Sequence, residues 1–444
     1  MEQIKQPTRM DKKIVIVGAG VSTQYGVLHL LKNGYNPKLI TIIEKGDSIY
    51  NRKPSDVMSG AGGAGTYSDF KVLESWTQGG IFTPEYVDLD TANKLAEIVK
   101  GYIHEYHPDP SKIMYTHPEN IPQWLKESPF ELKQSPCFHL GTDYGRQQVQ
   151  NIFEYFDKMG VNQYYNAEVI DIDFDLKEVK YISSPISEVI KTITYDKVII
   201  AGGKSGVDFL DNIIKKYNLK TTPRAAQLGV RYETDGKYFE ELTKFAYDFK
   251  LYKKWNNISG RSFCVNNYAA FVAPEITYGK LSFNGHAYKD PLKYNGLTNF
   301  GIMLEIKDEI EFPFDFKQKL VSFFNKDGKS ASYSPINRKP SFTDEGKEMP
   351  CYLTALEHFK EGYGKYADYI LEFIEDLNKT FNINNDYIIY LPEIKYISNT
   401  LMFNKSDFSL LDYPDVHIQG DNGMSRGIWI AAISGLYVAE NILK

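Results

Sequence analysis

Ile14-Val15-Ile16-Val17-Gly18-Ala19-Gly20 is the stretch from which the whole chain is read. Consecutive β-branched residues suit a strand buried on both faces of a parallel sheet, and the glycines turn the chain sharply at its end. Val27, Leu28, Leu30 and Leu31 then mark a helix stopped at Asn33-Gly34, and Leu39 to Ile43 reads as a second strand closing on Glu44. A β-α-β unit of this kind is a dinucleotide cradle. Gly18 permits the tight turn, Gly20 lets the backbone approach a pyrophosphate, and the helix N-terminus stabilises its charge. Glu44 is placed to accept hydrogen bonds from ribose hydroxyls. Thr23 stands where G-x-G-x-x-G has its third glycine, and Gly26 remains available for close helix and strand packing.

Working outward, the C-terminus carries an independent signal. Val416 to Gln419 reads as a strand, Gly420-Asp421-Asn422-Gly423 breaks it, and a helix from Ser425 runs to the end with Ile428, Ala431, Ala432, Gly435, Leu436, Ala439 and Ile442 on one face. Such a segment forms a second anion or ribityl cradle, or simply closes the core. Between the two ends lies Ser59-Gly60-Ala61-Gly62-Gly63-Ala64-Gly65-Thr66-Tyr67-Ser68-Asp69-Phe70-Lys71, whose glycines leave backbone amides facing a flat ligand or an anion. Ala167 to Phe174, Glu178 to Ile182 and Ile186 to Thr194 alternate like antiparallel strands. Lys197 to Ala201 is a further buried strand, ending in Gly202-Gly203 and followed by a helix with Val207, Leu210, Ile213, Ile214 and Tyr217 on one face. The Gly-Gly-Lys-Ser that follows is not a phosphate loop, because Val198 stands where that motif needs glycine.

Of 444 residues, 51 are basic and 57 acidic, so the net charge of −6 gives no electrostatic reason to expect nucleic acid or an anionic lipid surface as partner. Cys137, Cys264 and Cys351 are far apart, which excludes a disulfide framework and fits a reducing cytoplasm. Residues 1 to 11 read as a disordered lead-in, and the apolar run Ile14 to Val17 is too short for a signal core or a membrane span. His104 and His107 fall before Pro108 in HEYHP, which is not a metal-binding helix, so no metal site is expected.

Taken together these segments resemble the glutathione-reductase type of FAD-binding fold, and more closely a family of largely uncharacterised bacterial FAD-dependent dehydrogenases. The blocks that carry the resemblance are GAGGAGTYSDFK at 60 to 71, HLGTD at 139 to 143, VIIAGGKSGVDFL with LGVRYE at 228 to 233, Asn284-Gly285, and the terminal GDNGMSRGIWIAAISGLYVAE. Two departures stand out. Phe70 replaces a family glycine, and of a Cys-x-Cys-Pro-Gly-Gly segment only Cys264 remains. The resemblance implies that Gly18, Gly20 and Val21 hold the FAD pyrophosphate, that Glu44 and Lys45 lie at the ribose, and that Arg52 supplies a cation to a phosphate. It implies that the backbone of Val169 contacts adenine, and that Gly62, Gly63, Gly65 and Ser68 approach the flavin ring or ribityl chain. Ala201, Gly202, Gly420, Asp421, Gly427 and Ile428 complete the implied cofactor site.

The flavin would perform the redox step, so catalytic candidates are few. Lys71 could polarise the flavin or be a solvated lysine; His286 could be a general acid or base or a structural histidine. Arg231 could clamp a substrate carboxylate or pair with Glu233, and Tyr268, Tyr278 and Tyr288 lie in the segment expected to cover the flavin. No Cys-x-x-x-x-Cys follows the first helix, which excludes disulfide-reductase chemistry, and the Trp-x-Trp-x-Ile-Pro signature of flavin halogenases is absent.

The expected fold is α/β, a discontinuous Rossmann-like FAD-binding domain at 10–75, 135–222 and 400–444, with a mainly helical insertion at 76–134 and an α+β substrate or cap domain at 223–399. The expected activity is that of an FAD-dependent dehydrogenase or reductase acting on a small molecule, with NAD(P)H a candidate diffusible electron donor or acceptor. The alternatives are a flavin monooxygenase using NAD(P)H and oxygen, or a tRNA-binding or non-catalytic flavoprotein. The oligomeric state is open.

Overall fold

The computed structural model describes residues 12–53, 56–76, 86–117, 120–183, 189–222, 226–277, 280–306, 313–340, 351–395, 400–421, 424 and 426–444. The expected lead-in at 1–11 and the candidate Tyr278 lie outside them. The chain is a mixed α/β protein of two compact units, Met1–Ser111, Tyr144–Arg224 and Ser398–Lys444 in the first, Lys112–Asp143 and Ala225–Ile397 in the second.

Among the described residues, the first unit is built on a six-stranded sheet. Its strands in chain order are β1 (Ile14–Val17), β2 (Ile40–Ile43), β3 (Asn162–Tyr164), β4 (Lys197–Ile200), β5 (Ser409–Leu410) and β6 (Tyr413–Ile418). Their order across the sheet is β5-β6-β4-β1-β2-β3. All neighbours are parallel except β5 with β6. β1 and β2 are buried at every position, which is why both read as unbroken apolar runs. In α1 (Val21–Lys32) every residue but Lys32 is buried, so its polar Thr23 and Gln24 must find partners inside.

The C-terminal helix α3 (Ile428–Leu443) lies against α1 through small residues. A methyl added at Gly26 would stand 2.9 Å from the Gly435 carbonyl oxygen, and one at Gly435 would overlap that of Ser22. Gly26 therefore serves helix–helix contact rather than the helix–strand packing expected of it. The strands Glu168–Asp173, Glu178–Ile182 and Ile190–Thr194 form an antiparallel three-stranded sheet of their own.

The segment 76–134, expected as one insertion, is divided. Helix Leu89–Tyr106 buries Leu95, Val99 and Ile103 in the first unit. Strand Glu131–Lys133 instead pairs with Lys250–Lys254 at the edge of the second unit's sheet.

That sheet centres on the antiparallel strands Tyr387–Lys395, Ala226–Asp235, Leu297–Ile306 and Ile258–Tyr268. Strand alternation sends Leu228, Val230 and Tyr232 into an apolar core with Phe359, Ile370, Phe373 and Leu377 from two helices. Arg231 and Glu233 take the opposite face, against the hairpin Ala270–Thr277 and Lys280–Ala287.

Candidate dinucleotide site

The residues singled out in the first unit converge on Gly20. Gly18 holds φ +104°, and a side chain there would overlap the Ala201 carbonyl oxygen, so the turn after β1 and the end of β4 touch backbone to backbone. The amide of Ala201 donates to the Val17 oxygen at 2.9 Å. From the glycine-rich loop, the Gly62 amide donates to the Ala19 oxygen at 2.9 Å and Gln24 Nε2 donates to the Gly62 oxygen at 3.0 Å. A Cβ on Gly63 would lie 3.1 Å from the Gly20 Cα, and one on Gly420 would lie 2.7 Å from Ser22 Oγ. A short helix α2 (Gly63–Ser68) carries Gly65 against Ile428, whose Cγ1 would be 2.9 Å from a Cβ there.

Gly20 itself faces open space: a Cβ on it would meet nothing within 4 Å. It is also the N-cap of α1, with no side chain capping the helix and no acidic residue in its first turn. The amides and dipole of the helix start thus have no acidic residue in their own first turn to neutralise them. Thr23, at the missing third glycine, donates its hydroxyl to the Gly18 oxygen at 2.8 Å and so braces the turn. Gly427, the N-cap of α3, likewise faces open space. Asp421 lies nearby in sequence, its Oδ1 3.8 Å from Arg426 Nε.

Glu44 is held by three backbone amides. Oε2 accepts from Ala19 at 2.8 Å, and Oε1 accepts from Gly46 at 2.8 Å and Gly60 at 3.0 Å. Its own carbonyl accepts from the Ala167 amide at 2.9 Å, which ties Val169 and its strand to the same spot. A carboxylate has about four acceptor positions, so one on Oε2 remains for a ribose hydroxyl.

Arg52 is corrected. Its guanidinium is buried and donates to the carbonyls of Asp56, Val57, Gly60, Ala61 and Gly63 at 2.8–3.2 Å. Burial, partly offset by Glu44, lowers its pKa to about 10. It clamps the loop instead of meeting a phosphate. Lys45 is exposed and donates to the Ser205 oxygen at 2.6 Å. Ser68 is buried, with Oγ 3.2 Å from the Gly65 oxygen. Lys71 is no solvated lysine: it is buried, with Nζ 2.9 Å from the equally buried Asp69 Oδ2.

A residue missed in the sequence is Arg146. Its guanidinium lies 4.2 Å from the centre of the Tyr67 ring, which Arg52 also approaches at 3.8 Å, and Nη2 is buried without a hydrogen bond. Its position three residues after HLGTD was the available signal.

Arg231 and His286 belong to the second unit. Arg231 is fully buried; Nε and Nη2 donate to Asn299 Oδ1 at 3.0 and 2.6 Å, Nη2 also donates to the Cys264 oxygen at 2.9 Å, and Nη1 stands 3.6 Å from Glu393 Oε1. Glu233 accepts the Tyr390 hydroxyl at 3.0 Å, and the carboxylate found beside Arg231 Nη1 is that of Glu393. Both forks of Arg231 are engaged within the protein, which disfavours the carboxylate clamp. His286 is fully buried on the hairpin strand opposite Phe271. Tyr288 is buried there too, and the Tyr268 hydroxyl meets that of Thr243 at 3.0 Å.

No protein-family model matches the chain. An uncharacterised protein of Clostridium beijerinckii is 22% identical over 493 aligned residues, covering 100% of this chain and 83% of that protein. Among solved structures, the flavin-dependent halogenase CmlS is 11% identical over 97% of this chain at a TM-score of 0.42; the chain spans only 58% of it. The flavin-dependent brominase Bmp2 is 10% identical over 97% of this chain and 80% of its own, at 0.47. A flavoprotein/dehydrogenase from Cytophaga hutchinsonii is 10% identical over 97% and 78%, at 0.44. At these values the likenesses carry no argument about activity.

Proposed function

We propose that the first unit holds FAD and that the protein is an FAD-dependent oxidoreductase, a dehydrogenase or reductase acting on a small organic molecule. The observation that carries this reading is the open space at Gly20, set against an uncapped helix start, with Gly63 close beside the Gly20 Cα. When bound, FAD supplies the redox chemistry, hydride exchange at N5.

The chain's own residues position and shield. Gly18, Gly20 and Val21 present the turn and the α1 amides to the pyrophosphate. Glu44 offers its remaining Oε2 lone pair to one ribose hydroxyl, and the strand of Val169 stands on the adenine side. Gly62, Gly63, Ala201, Gly202, Gly420, Asp421 and Gly427 border the remainder of the cofactor. Arg52 keeps the glycine-rich loop in shape. The buried Lys71–Asp69 pair, Nζ 2.9 Å from Oδ2, is the candidate for holding a proton beside that loop. His286 is the corresponding candidate in the second unit.

The purified protein should be yellow, or become so with FAD; a colourless chain that cannot be reconstituted sinks the reading. Anaerobic mixing with NADH, NADPH and candidate substrates, followed by oxygen, then separates dehydrogenase from monooxygenase. Flavin reduction by substrate alone supports the dehydrogenase reading. Reduction only by NAD(P)H, with oxygen consumed and product hydroxylated, overturns it.

A further inference from the structure

Residues 69 to 71 carry two local costs. Phe70 holds φ +41°, a left-handed backbone in which its Cβ is strained and glycine would not be. On either side of it, the side chains of Asp69 and Lys71 are buried, 6% and 5% exposed, with Lys71 Nζ 2.9 Å from Asp69 Oδ2. A buried ion pair adds little net stability over apolar residues of similar size, because both charges lose their water. Glycine at 70 with apolar neighbours would make the same turn more stably. The turn is nevertheless fixed: the Phe70 amide donates to the Gly65 oxygen at 3.1 Å, and the Phe70 ring fills the space left by Gly145. The other carboxylate oxygen of Asp69 lies 3.5 Å from Ser68 Oγ, at the end of α2. Its surroundings place this turn. α2 brings Gly63 to Gly20 and Gly65 to Ile428, and the strand Lys71–Leu73 lies against α3, whose N-cap Gly427 faces open space. The pair therefore follows directly on the loop that borders the cradle, with its strand against the second uncapped helix.

We propose that this pair sets how well the bound cofactor accepts negative charge: Lys71 supplies the cation that the reduced flavin faces, and Asp69 is the positioning residue that holds Lys71 and moderates its charge. The inference rests on the FAD reading. A hydride brings two electrons and one proton, so its transfer leaves one negative charge on the cofactor, and an ammonium held away from water meets that charge with little screening. The strained turn and the desolvated pair then serve the reduced state.

The test uses the flavin-loaded protein and sulfite, whose sulfur lone pair adds to N5 and leaves a negative charge on the ring. Its dissociation constant is read from bleaching of the flavin absorbance. Lys71→Met should weaken sulfite binding by about tenfold or more, and Asp69→Asn should tighten it, since the two substitutions remove opposite charges. The midpoint potential of the bound flavin reads the same charge without sulfite, and should move in the same sense by about 30 mV for each tenfold change in the reduction equilibrium. Lys71→Arg, which keeps the charge, should stay close to the parent. If Lys71→Met strands the Asp69 charge and fails to fold, the double variant Asp69→Asn with Lys71→Met removes both charges and should still bind sulfite more weakly than the parent. Shifts of one sign in Asp69→Asn and Lys71→Met, as a merely structural role would give, would overturn the proposal. So would parental affinity and potential in Lys71→Met or in the double variant. A parent without a flavin band ends the FAD reading itself, whereas a yellow parent indifferent to the Lys71 substitution ends only this inference.

Discussion

Glu44 is engaged by Ala19, Gly46 and Gly60 before any ligand arrives, so it organises the cradle as well as bordering it. Removing its carboxylate strands buried amides, each costing about 1–3 kcal/mol. Glu44→Ala should therefore lower the stability of the flavin-free protein by roughly 3 kcal/mol, besides weakening FAD retention. Thermal melts of stripped protein and the flavin absorbance of purified protein check the two effects; an unchanged melt would show that the carboxylate serves the ribose alone. His417 makes a pH prediction. It is 2% exposed, and burial, with Lys197 at 3.1 Å, lowers its pKa to about 4. An unfolded histidine titrates near 6.5, so below that pH the unfolded chain takes up a proton that the folded chain refuses. Stability should fall as pH drops from about 6.5 to about 4, by about 3 kcal/mol from this group. His417→Gln should flatten the curve of denaturation midpoint against pH within that window. An equally steep curve in the variant would assign the loss to other groups.

At the scale of elements, the site depends on close approaches made where side chains are missing. Phe70 holds a left-handed backbone, φ +41°, of the kind glycine takes freely. Its ring is fully buried because Gly145, on helix Thr142–Met159, has no side chain: a Cβ there would lie 2.7 Å from Phe70 Cβ. Gly145→Ala should destabilise by about 1–3 kcal/mol through overpacking, and most of that cost should vanish in a Phe70→Gly background. A double-mutant cycle by chemical denaturation measures the coupling; strict additivity would refute the contact. The α1–α3 contact is tighter still. Gly435→Ala drives a methyl into the Ser22 carbonyl, so the helices must separate. A destabilisation of several kcal/mol, about 3 or more, is expected, together with weaker FAD retention, because Ser22 also borders Gly420.

At the scale of the whole molecule, the first unit draws on three separated stretches of chain. β6 pairs with β4, and α3 covers α1, so the last stretch supplies interior parts rather than a tail. Deleting residues 400–444 should leave a chain with no protease-resistant first unit and no flavin. Limited proteolysis and absorbance spectra check this; a truncated yellow protein with the parent's digestion pattern would contradict it. Much of this unit was legible in the sequence because its signals are local. A β-branched run followed at once by Gly18-Ala19-Gly20, a strand ending on Glu44 and a small-residue C-terminal helix each follow from steric and burial rules acting over a few residues. The partners of long side chains were not legible, since an arginine reaches whatever the fold brings within several ångströms. Arg52 found loop carbonyls instead of a phosphate, Arg231 found Asn299 and Glu393 instead of Glu233, and Lys71 found Asp69 instead of water. The division of 76–134 was likewise hidden, because Glu131–Lys133 belongs to a sheet whose other strands all begin at Ala226 or later. Sequence alone thus determined where the chain turns and which stretches can be strand, helix or glycine cradle, since those are properties of short peptides. Only the tertiary structure decided which charges neutralise one another, since that depends on distances between residues remote in the chain.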